Sequence, residues 1–453
     1  MPIETVNPAT GTLEKQYEEF SPEQTVATVA AVARAWESWK ETSFEERASC
    51  LKALAGLLRE RAGDLAKVMA QDMGKPVTPG TGEVMKCAAV CDFYAENGAA
   101  MLARQPVEGC GRTSYVDYEP LGTVLAVMPW NFPFWQVVRI GAPTLMAGNT
   151  MVLKHASNVP QCALALDEVF NAAFPKDVFR SLLIGAGQVE TVLDQDSVIG
   201  VSLTGSEGAG RRVAAAAGAR LKKSVMELGG SDPLIVLADA DIPQAAATAA
   251  LSRCGNTGQT CIAAKRFIVA KEVYEEFLQA LKTEMAKLKQ GDPLDKDTVI
   301  GPMASARLRD DLQDQVDRCL AAGGRVACGG TVPDGPGFFY PPTIVTDVPP
   351  EADVCREELF GPVALVFKVE DADQALALAN ATPFGLGGSI WTGDEHKGLE
   401  LARRIKAGTV FVNGLVRSDP NLPFGGIGCS GFGRELGSYG IRELVNVKSV
   451  CAG

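Results

Sequence analysis

From Ser252 to Cys261 the chain reads SRCGNTGQTC, a cysteine closing a run of small and polar residues, and the apolar, β-rich stretch Ile262–Ala270 follows at once. Gly255 and Gly258 permit backbone conformations closed to other residues, so amide groups can be turned toward a ligand. A thiol in such a setting can serve as a nucleophile, because the reactive species is the thiolate and it needs a polar, partly exposed environment. The competing reading is a buried small hydrophobe, one of 12 cysteines in 453 residues. A thiol enzyme also needs a base. The chain has only two histidines, His155 and His396, and neither lies in a motif that suits the role, so a nucleophilic Cys261 calls for a carboxylate.

Other stretches carry polar chemistry more weakly. Thr204-Gly205-Ser206-Glu207-Gly208-Ala209-Gly210 could open a helix whose N-terminus holds a phosphate, although the same turn serves as plain strand-to-helix punctuation. Neither it nor Gly185-Ala186-Gly187 matches the G-x-G-x-x-G dinucleotide fingerprint, and there is no P-loop. By their residues alone, Glu357 to Pro362 (EELFGP) read as a solvated turn after an acidic pair, and Pro423 to Gly433 as a glycine-dense loop.

These residues need a frame. Ser21-Pro22-Glu23-Gln24 offers an N-cap, a first-turn proline and a capping-box glutamine, and Ser43 to Glu46 opens a second helix in the same way. Val26, Val29, Ala33 and Trp36 recur at helical spacing in the first, and Leu51, Leu54 and Leu58 in the second. A third helical stretch runs from about Gly82 to Leu102, and Thr113–Glu119 alternates as a strand with one wet face. From Gly122, β-rich runs at Thr123–Met128, Thr150–Leu153, Leu182–Ile184 and Val198–Leu203 alternate with helical segments. That order predicts an α/β fold with a parallel, doubly wound sheet, whose ligands sit past the carboxyl ends of the strands. Those ends are residues 129–133, 154–157 and 204–210. A second mixed region from about 231 to 417 includes helices at Lys271–Lys289 and Ala304–Ala322, and Leu444–Val450 alternates as an edge strand.

Composition removes several function classes. Apolar content of 46% with 22% charged residues describes an ordinary globular chain of two to three domains. A net charge of −12 argues against nucleic acid and anionic membrane surfaces as partners. The first residues form neither a basic nor an apolar leader, no stretch reaches membrane-spanning length, and scattered cysteines read as reduced cytoplasmic thiols. Without a Cys-x-x-Cys pair or a histidine cluster, no metal is expected.

Seven segments in one order make a constellation: Pro129-Trp130-Asn131-Phe132-Pro133, Lys154, Thr204-Gly205-Ser206, Glu227 to Gly230 (ELGG), Asn256 to Cys261 (NTGQTC), Glu358 to Pro362 (ELFGP) and Pro423 to Gly426 (PFGG). Over essentially its whole length the chain resembles the aldehyde dehydrogenase superfamily, and within it the bacterial NADP-preferring succinate-semialdehyde dehydrogenases. The resemblance implies a Rossmann-like cofactor domain (1–110 and 122–229), an α/β catalytic domain (230–417) and a small β arm (111–121 and 434–453, with 418–433 as a returning loop) that joins subunits into a homodimer or homotetramer. It implies that Cys261 attacks the aldehyde, that the Asn131 amide and the Cys261 N–H hold the oxyanion, and that Glu227 activates the water that hydrolyses the thioester. Cofactor contacts fall to Trp130, to Lys154 by the adenosine ribose, to Gly205 and Ser206 by the pyrophosphate, and to Glu358 and Phe360 by the nicotinamide ribose and ring.

Departures from the family pattern refine the expectation. Position 157, where NAD-preferring members carry a glutamate, is Ser157, so NADP is the expected cofactor, with NAD at lower preference, since the repulsion against a 2′-phosphate is gone and Lys154 can pair with it. Arg139 matches a position that binds a distal carboxylate and Ser418 a substrate-contacting position, with Arg417 adding charge; the alternative for Arg139 is a structural ion pair. A second carboxylate-binding arginine of some relatives is Gly255 here, with Arg253 out of register, and Ala263 stands where some relatives carry a second, switching cysteine. The favoured reaction is therefore oxidation of succinate semialdehyde to succinate. Another carboxylated or medium-chain aldehyde such as glutarate semialdehyde, or a cysteine acyltransferase without nicotinamide, remain the alternatives.

Overall fold

The computed structural model describes residues 3–453. A hairpin, β1 (Ile3–Asn7) and β2 (Thr12–Tyr17), precedes four helices: α1 (Pro22–Trp39), α2 (Phe44–Glu60), α3 (Ala62–Met73) and α4 (Val77–Met101). Ser21 and Ser43 cap α1 and α2, each in a complete capping box with Gln24 and Glu46, and such a cap is worth about 1 kcal/mol. Two elements differ from the sequence expectation. The α3 helix is additional: Arg61 alone separates it from α2 and offers no side-chain cap to mark its start. The α4 helix starts at Val77 because Gly80 and Gly82 lie inside it; a Cβ at Gly80 would sit 3.2 Å from that of Ala66, so the glycine permits close α3–α4 packing.

After β3 (Gln105–Pro106) and β4 (Thr113–Pro120) the alternating region follows: β5 (Thr123–Met128), α5 (Trp135–Met146), β6 (Thr150–His155), α6 (Pro160–Ala173), β7 (Phe179–Ser181), α7 (Val189–Leu193), β8 (Val198–Thr204), α8 (Glu207–Ala219) and β9 (Lys223–Glu227). The strands run parallel in the order β9-β8-β5-β6-β7, with helices connecting them, which is the doubly wound arrangement. The third strand lies three residues before the expected Leu182–Ile184. Phe179 pairs with Met151, whereas Leu182 and Ile184 are buried in the connection beyond the sheet.

The second sheet contains β10 (Asp232–Val236), β11 (Ala264–Ala270), β12 (Arg325–Cys328), β13 (Thr343–Thr346), β14 (Val363–Val369), β15 (Gly387–Trp391) and β16 (Thr409–Val412), in the order β12-β13-β14-β11-β10-β15-β16. Only β12 is antiparallel. Its helices are α9 (Ile242–Cys254), α10 (Tyr274–Ala286), α11 (Ala306–Ala321), α12 (Ala372–Ala379) and α13 (Glu395–Ala402). The chain then returns to the first sheet, where β17 (Gly431–Phe432) pairs antiparallel with β9, Gly431 opposite Glu227. After α14 (Gly437–Glu443), β18 (Val445–Ala452) pairs with β4 along its whole length and, with β3, forms a separate three-stranded antiparallel sheet. Among the described residues no helix is long and apolar enough to cross a membrane, and no group of three or more His, Cys, Asp or Glu side chains is placed to hold a metal ion.

Candidate active site

The nucleophile loop is strained where the sequence expectation placed ease. Gly255 has φ −55° and open space around it, so any residue would fit there. The left-handed positions are Asn256 (φ 54°), Thr257 (φ 57°) and Gly258 (φ 71°). Such conformations cost of order 1–3 kcal/mol each for residues with a Cβ and persist only where surrounding contacts enforce them. Those contacts are present. The fully buried Arg253 donates to the Gly258 carbonyl, Asn256 Nδ2 donates to the Asn131 carbonyl at 2.8 Å and to that of Gln259 at 3.1 Å, and Gln259 Oε1 accepts from Ala304 N at 2.9 Å. Gly258 is obligatory for a second reason: a Cβ there would meet the Gly361 carbonyl carbon at 2.3 Å.

Asn131 comes from the loop after β5, and three groups hold that loop. Glu83 of α4, itself buried and ion-paired with buried Lys75, accepts from the backbone N–H of Phe134 and of Trp135, both at 2.9 Å, and so caps α5. His155 accepts from Ala156 N through Nδ1 at 2.9 Å, which places its proton on Nε2 to donate to the Pro133 carbonyl at 3.0 Å. Burial pushes this imidazole down to about 4, so it is a neutral positioning group. Asn131 Nδ2 uses one hydrogen on the Gln259 carbonyl at 3.0 Å, which brings its amide to the nucleophile loop and leaves the other hydrogen available. The Cys261 N–H donates to no acceptor among the described residues.

The Cys261 thiol is pushed up to about 11, chiefly by burial, while the charges of Lys265 and Arg139 pull it back down. Lys265 is fully buried; its Nζ donates to the carbonyls of Thr260 at 2.9 Å and Cys261 at 2.6 Å and lies 3.1 Å from Glu358 Oε1. Glu227, at the carboxyl end of β9, is buried with neither carboxyl oxygen hydrogen-bonded. Burial raises its pKa well above the ordinary carboxyl value, and the neighbouring Glu435 adds to the rise while Arg139 and Arg434 oppose it.

Arg139 makes the ion pair that stood as the alternative to a carboxylate clamp. Its Nε edge is ion-paired with buried Glu435, Nη2 donates to Thr204 Oγ1 at 3.2 Å, and the guanidinium lies 4.8 Å from the Phe424 ring centroid. Nε and one Nη2 hydrogen are thus committed, whereas Nη1 has no partner among the described residues. Arg417 points away, with its guanidinium 6.0 Å from the Phe411 ring. Ser418 is buried and its Oγ accepts from Lys86 Nζ at 2.6 Å.

A cavity of about 230 Å³ lies between the two large sheets, bounded by Trp130, Asn131, Thr204, Gly205, Ser206, Leu228, Cys261, Glu358 and Phe360 among others. Ser206 caps α8 and its Oγ accepts from Ala209 N, so the amide end of α8 opens at this cavity. Trp130 and Phe360 meet edge to face with centroids 5.7 Å apart. Lys154 is the penultimate residue of β6, is 7% exposed, and no hydrogen bond or ion pair engages its ammonium among the described residues. Burial lowers its pKa, with only the charge of Glu19 opposing. A buried unpaired cation is a costly arrangement that an anionic ligand group would relieve, and the donors here suit a phosphorylated dinucleotide. Ser157 is half-buried, with its carbonyl taken by Glu4 N at 3.3 Å and its hydroxyl unengaged.

Sequence reasoning missed Lys265, Glu83 and Lys86. Lys265 lies four residues after Cys261 and, with Arg266, forms a pair of cations inside a strand whose other residues are apolar, which is its signal in the sequence; Glu83 and Lys86 sit on a helix with no motif and gave no signal.

The Aldehyde dehydrogenase family model matches residues 1–450. A Synechocystis sp. protein is 49% identical over 451 residues, spanning 99% of each chain. A Mycobacterium tuberculosis protein named succinate-semialdehyde dehydrogenase [NADP(+)] 1 is 47% identical over 454 residues, again 99% of each. The crystal structure of succinic semialdehyde dehydrogenase from Streptococcus pyogenes with NADP+ superposes with a TM-score of 0.97 at 36% identity, over 99% of both chains. A full-length match of this kind, on a chain whose Cys261 and Asn131 line one cavity with Leu228, the residue after Glu227, places this protein in the aldehyde dehydrogenase family.

Proposed function

We propose that this protein oxidises succinate semialdehyde to succinate with NADP. The observation that carries the cofactor half is the unpaired ammonium of Lys154 beside the uncharged Ser157, a pairing that suits a 2′-phosphate and repels none. The substrate half is supported by the relatives that bear that enzyme's name.

In the proposed cycle the Cys261 sulfur, deprotonated, adds to the aldehyde carbon, and the carbonyl oxygen takes up the negative charge. The free hydrogen on Asn131 Nδ2 and the unengaged Cys261 N–H donate to that oxygen; loss of one such donor typically costs about 10²–10³ in rate. Bound NADP supplies the hydride acceptor. A thioester then remains on Cys261. Glu227, unencumbered by hydrogen bonds, removes a proton from water, whose oxygen adds to the thioester carbon; the C–S bond breaks and the carboxylic acid leaves.

A second copy of the chain is the proposed partner, joined through the β3-β4-β18 sheet, near which Tyr439 and Val447 stay 65% and 56% exposed. Twelve free cysteines suit a reducing, cytoplasmic setting. The test is initial-rate kinetics with NADP or NAD against succinate semialdehyde, glutarate semialdehyde and butanal. A higher kcat/KM for succinate semialdehyde with NADP is expected, and abolished turnover in Cys261→Ala. Preference for butanal would overturn the substrate assignment, and preference for NAD the cofactor assignment.

A further inference from the structure

Lys86 has no role in the chemistry above, yet its placement is unusual. It sits on α4 one turn beyond Glu83, with Nζ 3.9 Å from the Trp135 ring centroid, and it donates to Ser418 Oγ. Trp135 and Arg139 are four residues apart on α5, so they share a face, and Lys86 lies over the same face. No carboxylate completes an ion pair with Lys86 among the described residues: Glu83 is taken by Lys75, and Asp419 accepts from the backbone and side chain of Asn421. Two cations, Lys86 and Arg139, thus lie on the same face of α5, Arg139 with its Nη1 unengaged. Arg139 donates to Thr204, which lines the same cavity as Cys261, so this face of α5 adjoins the nucleophile's cavity.

We propose that Lys86 is a specificity-determining residue, the cation that receives the distal carboxylate of the aldehyde substrate, with Ser418 donating its hydroxyl proton to the same group. This rests on the reading that the substrate is a carboxylated aldehyde. An anion between Lys86 and Arg139 Nη1 removes the like-charge repulsion that the protein otherwise bears, and a charge-assisted hydrogen bond in a desolvated site is stronger than its solvent-exposed counterpart. Burial first, then Arg139, lowers the ammonium to about 8, against the raising influence of Cys87 and Glu83 on α4 and of Asp419 on the C-terminal loop. Carboxylate binding should therefore weaken as pH rises through about 8, where Lys86 loses its charge.

The experiment compares wild type, Lys86→Met and Lys86→Arg with NADP, using succinate semialdehyde and butanal. In Lys86→Met, KM for succinate semialdehyde is expected to rise roughly 10- to 100-fold, the usual range for a hydrogen bond to a charged group, with butanal kinetics held within about twofold and Lys86→Arg recovering part of the loss. A measurement on wild type guards against a folding defect: succinate inhibition of butanal oxidation should weaken above about pH 8. A succinate semialdehyde to butanal ratio unchanged in Lys86→Met, or inhibition by succinate flat across that pH range, would overturn the assignment of Lys86 while wild-type preference for the carboxylated aldehyde stands. A wild type that shows no such preference and no inhibition by succinate overturns both.

Discussion

Two neighbouring buried carboxyl groups, Glu227 and Glu435, are in opposite situations. Glu435 receives the Arg139 guanidinium and, at 2.8 Å, the Ser202 hydroxyl, whereas Glu227 receives nothing. The paired acid is structural and the unpaired one is left free to move a proton. Glu227→Gln is accordingly expected to give one burst of NADPH, equal to the enzyme present, and then stall at the thioester; stopped-flow absorbance reads this, and steady turnover would contradict the base role. A carboxyl whose folded pKa lies above its unfolded value contributes most while protonated and loses that contribution as pH rises through the folded pKa. Removing the titration should therefore raise the Tm of Glu227→Gln relative to wild type at alkaline pH, with a smaller difference at acid pH. Arg139→Ala leaves Glu435 buried without its cation, a change that costs about 3–5 kcal/mol. The expected outcome is a lower denaturation midpoint and reduced rates with charged and uncharged aldehydes, with an added rise in KM for succinate semialdehyde from the loss of Nη1. A loss confined to succinate semialdehyde, with unchanged stability, would instead restore Arg139 as a dedicated clamp.

At the scale of an element, the turn between α9 and β11 shows how a loop holds a nucleophile in a conformation the chain would not choose. Asn256 and Thr257 stay left-handed because the Asn256 amide bridges to the Asn131 loop and Thr257 Oγ1 donates to the Gly301 carbonyl at 3.2 Å. Gly255 and Gly258 separate conformational need from glycine content. Gly258→Ala combines a positive φ with a Cβ 2.3 Å from Gly361, so it should lower Tm and abolish activity, whereas Gly255→Ala, at φ −55° with no atom within 4 Å, should fold normally with near wild-type rates. Equal tolerance of both substitutions, read by thermal melts and initial rates, would count against this conformation of the loop.

Across the whole molecule, the active site is assembled by a return of the chain. Strand β17 closes the edge of the first sheet at Glu227, the following Glu435 secures Arg139, and β18 then leaves to pair with β4. The exposed apolar side chains of this terminal stretch, including Phe432 at 50%, Tyr439 at 65% and Val447 at 56%, lack cover within one chain. Val447→Asp, which places a charge on that strand, is expected to shift the particle mass measured by light scattering toward a single chain while cofactor binding persists. An unchanged mass would remove β18 from the subunit contact.

What the sequence determined by itself was local or carried by motif. The capping boxes of α1 and α2 span three residues, so nothing distant was needed to read them. The β-rich runs gave the doubly wound sheet for the same reason, and the ordered motifs led to Cys261, Asn131 and Glu227, which line or adjoin one cavity. The start of α3 and the glycine-bearing start of α4 escaped because neither helix has a side-chain cap, and Gly80 serves close packing against Ala66 that no local pattern reveals. Only the tertiary structure decided which charges would pair. Arg139 meets Glu435 across 296 residues and Lys86 meets Ser418 across 332, so spacing could offer Arg139 as a clamp but could not reveal the acid that occupies it. The physical reason is that a buried charge takes its partner from whatever the fold brings within a few ångströms, and that neighbourhood is set by packing between distant elements.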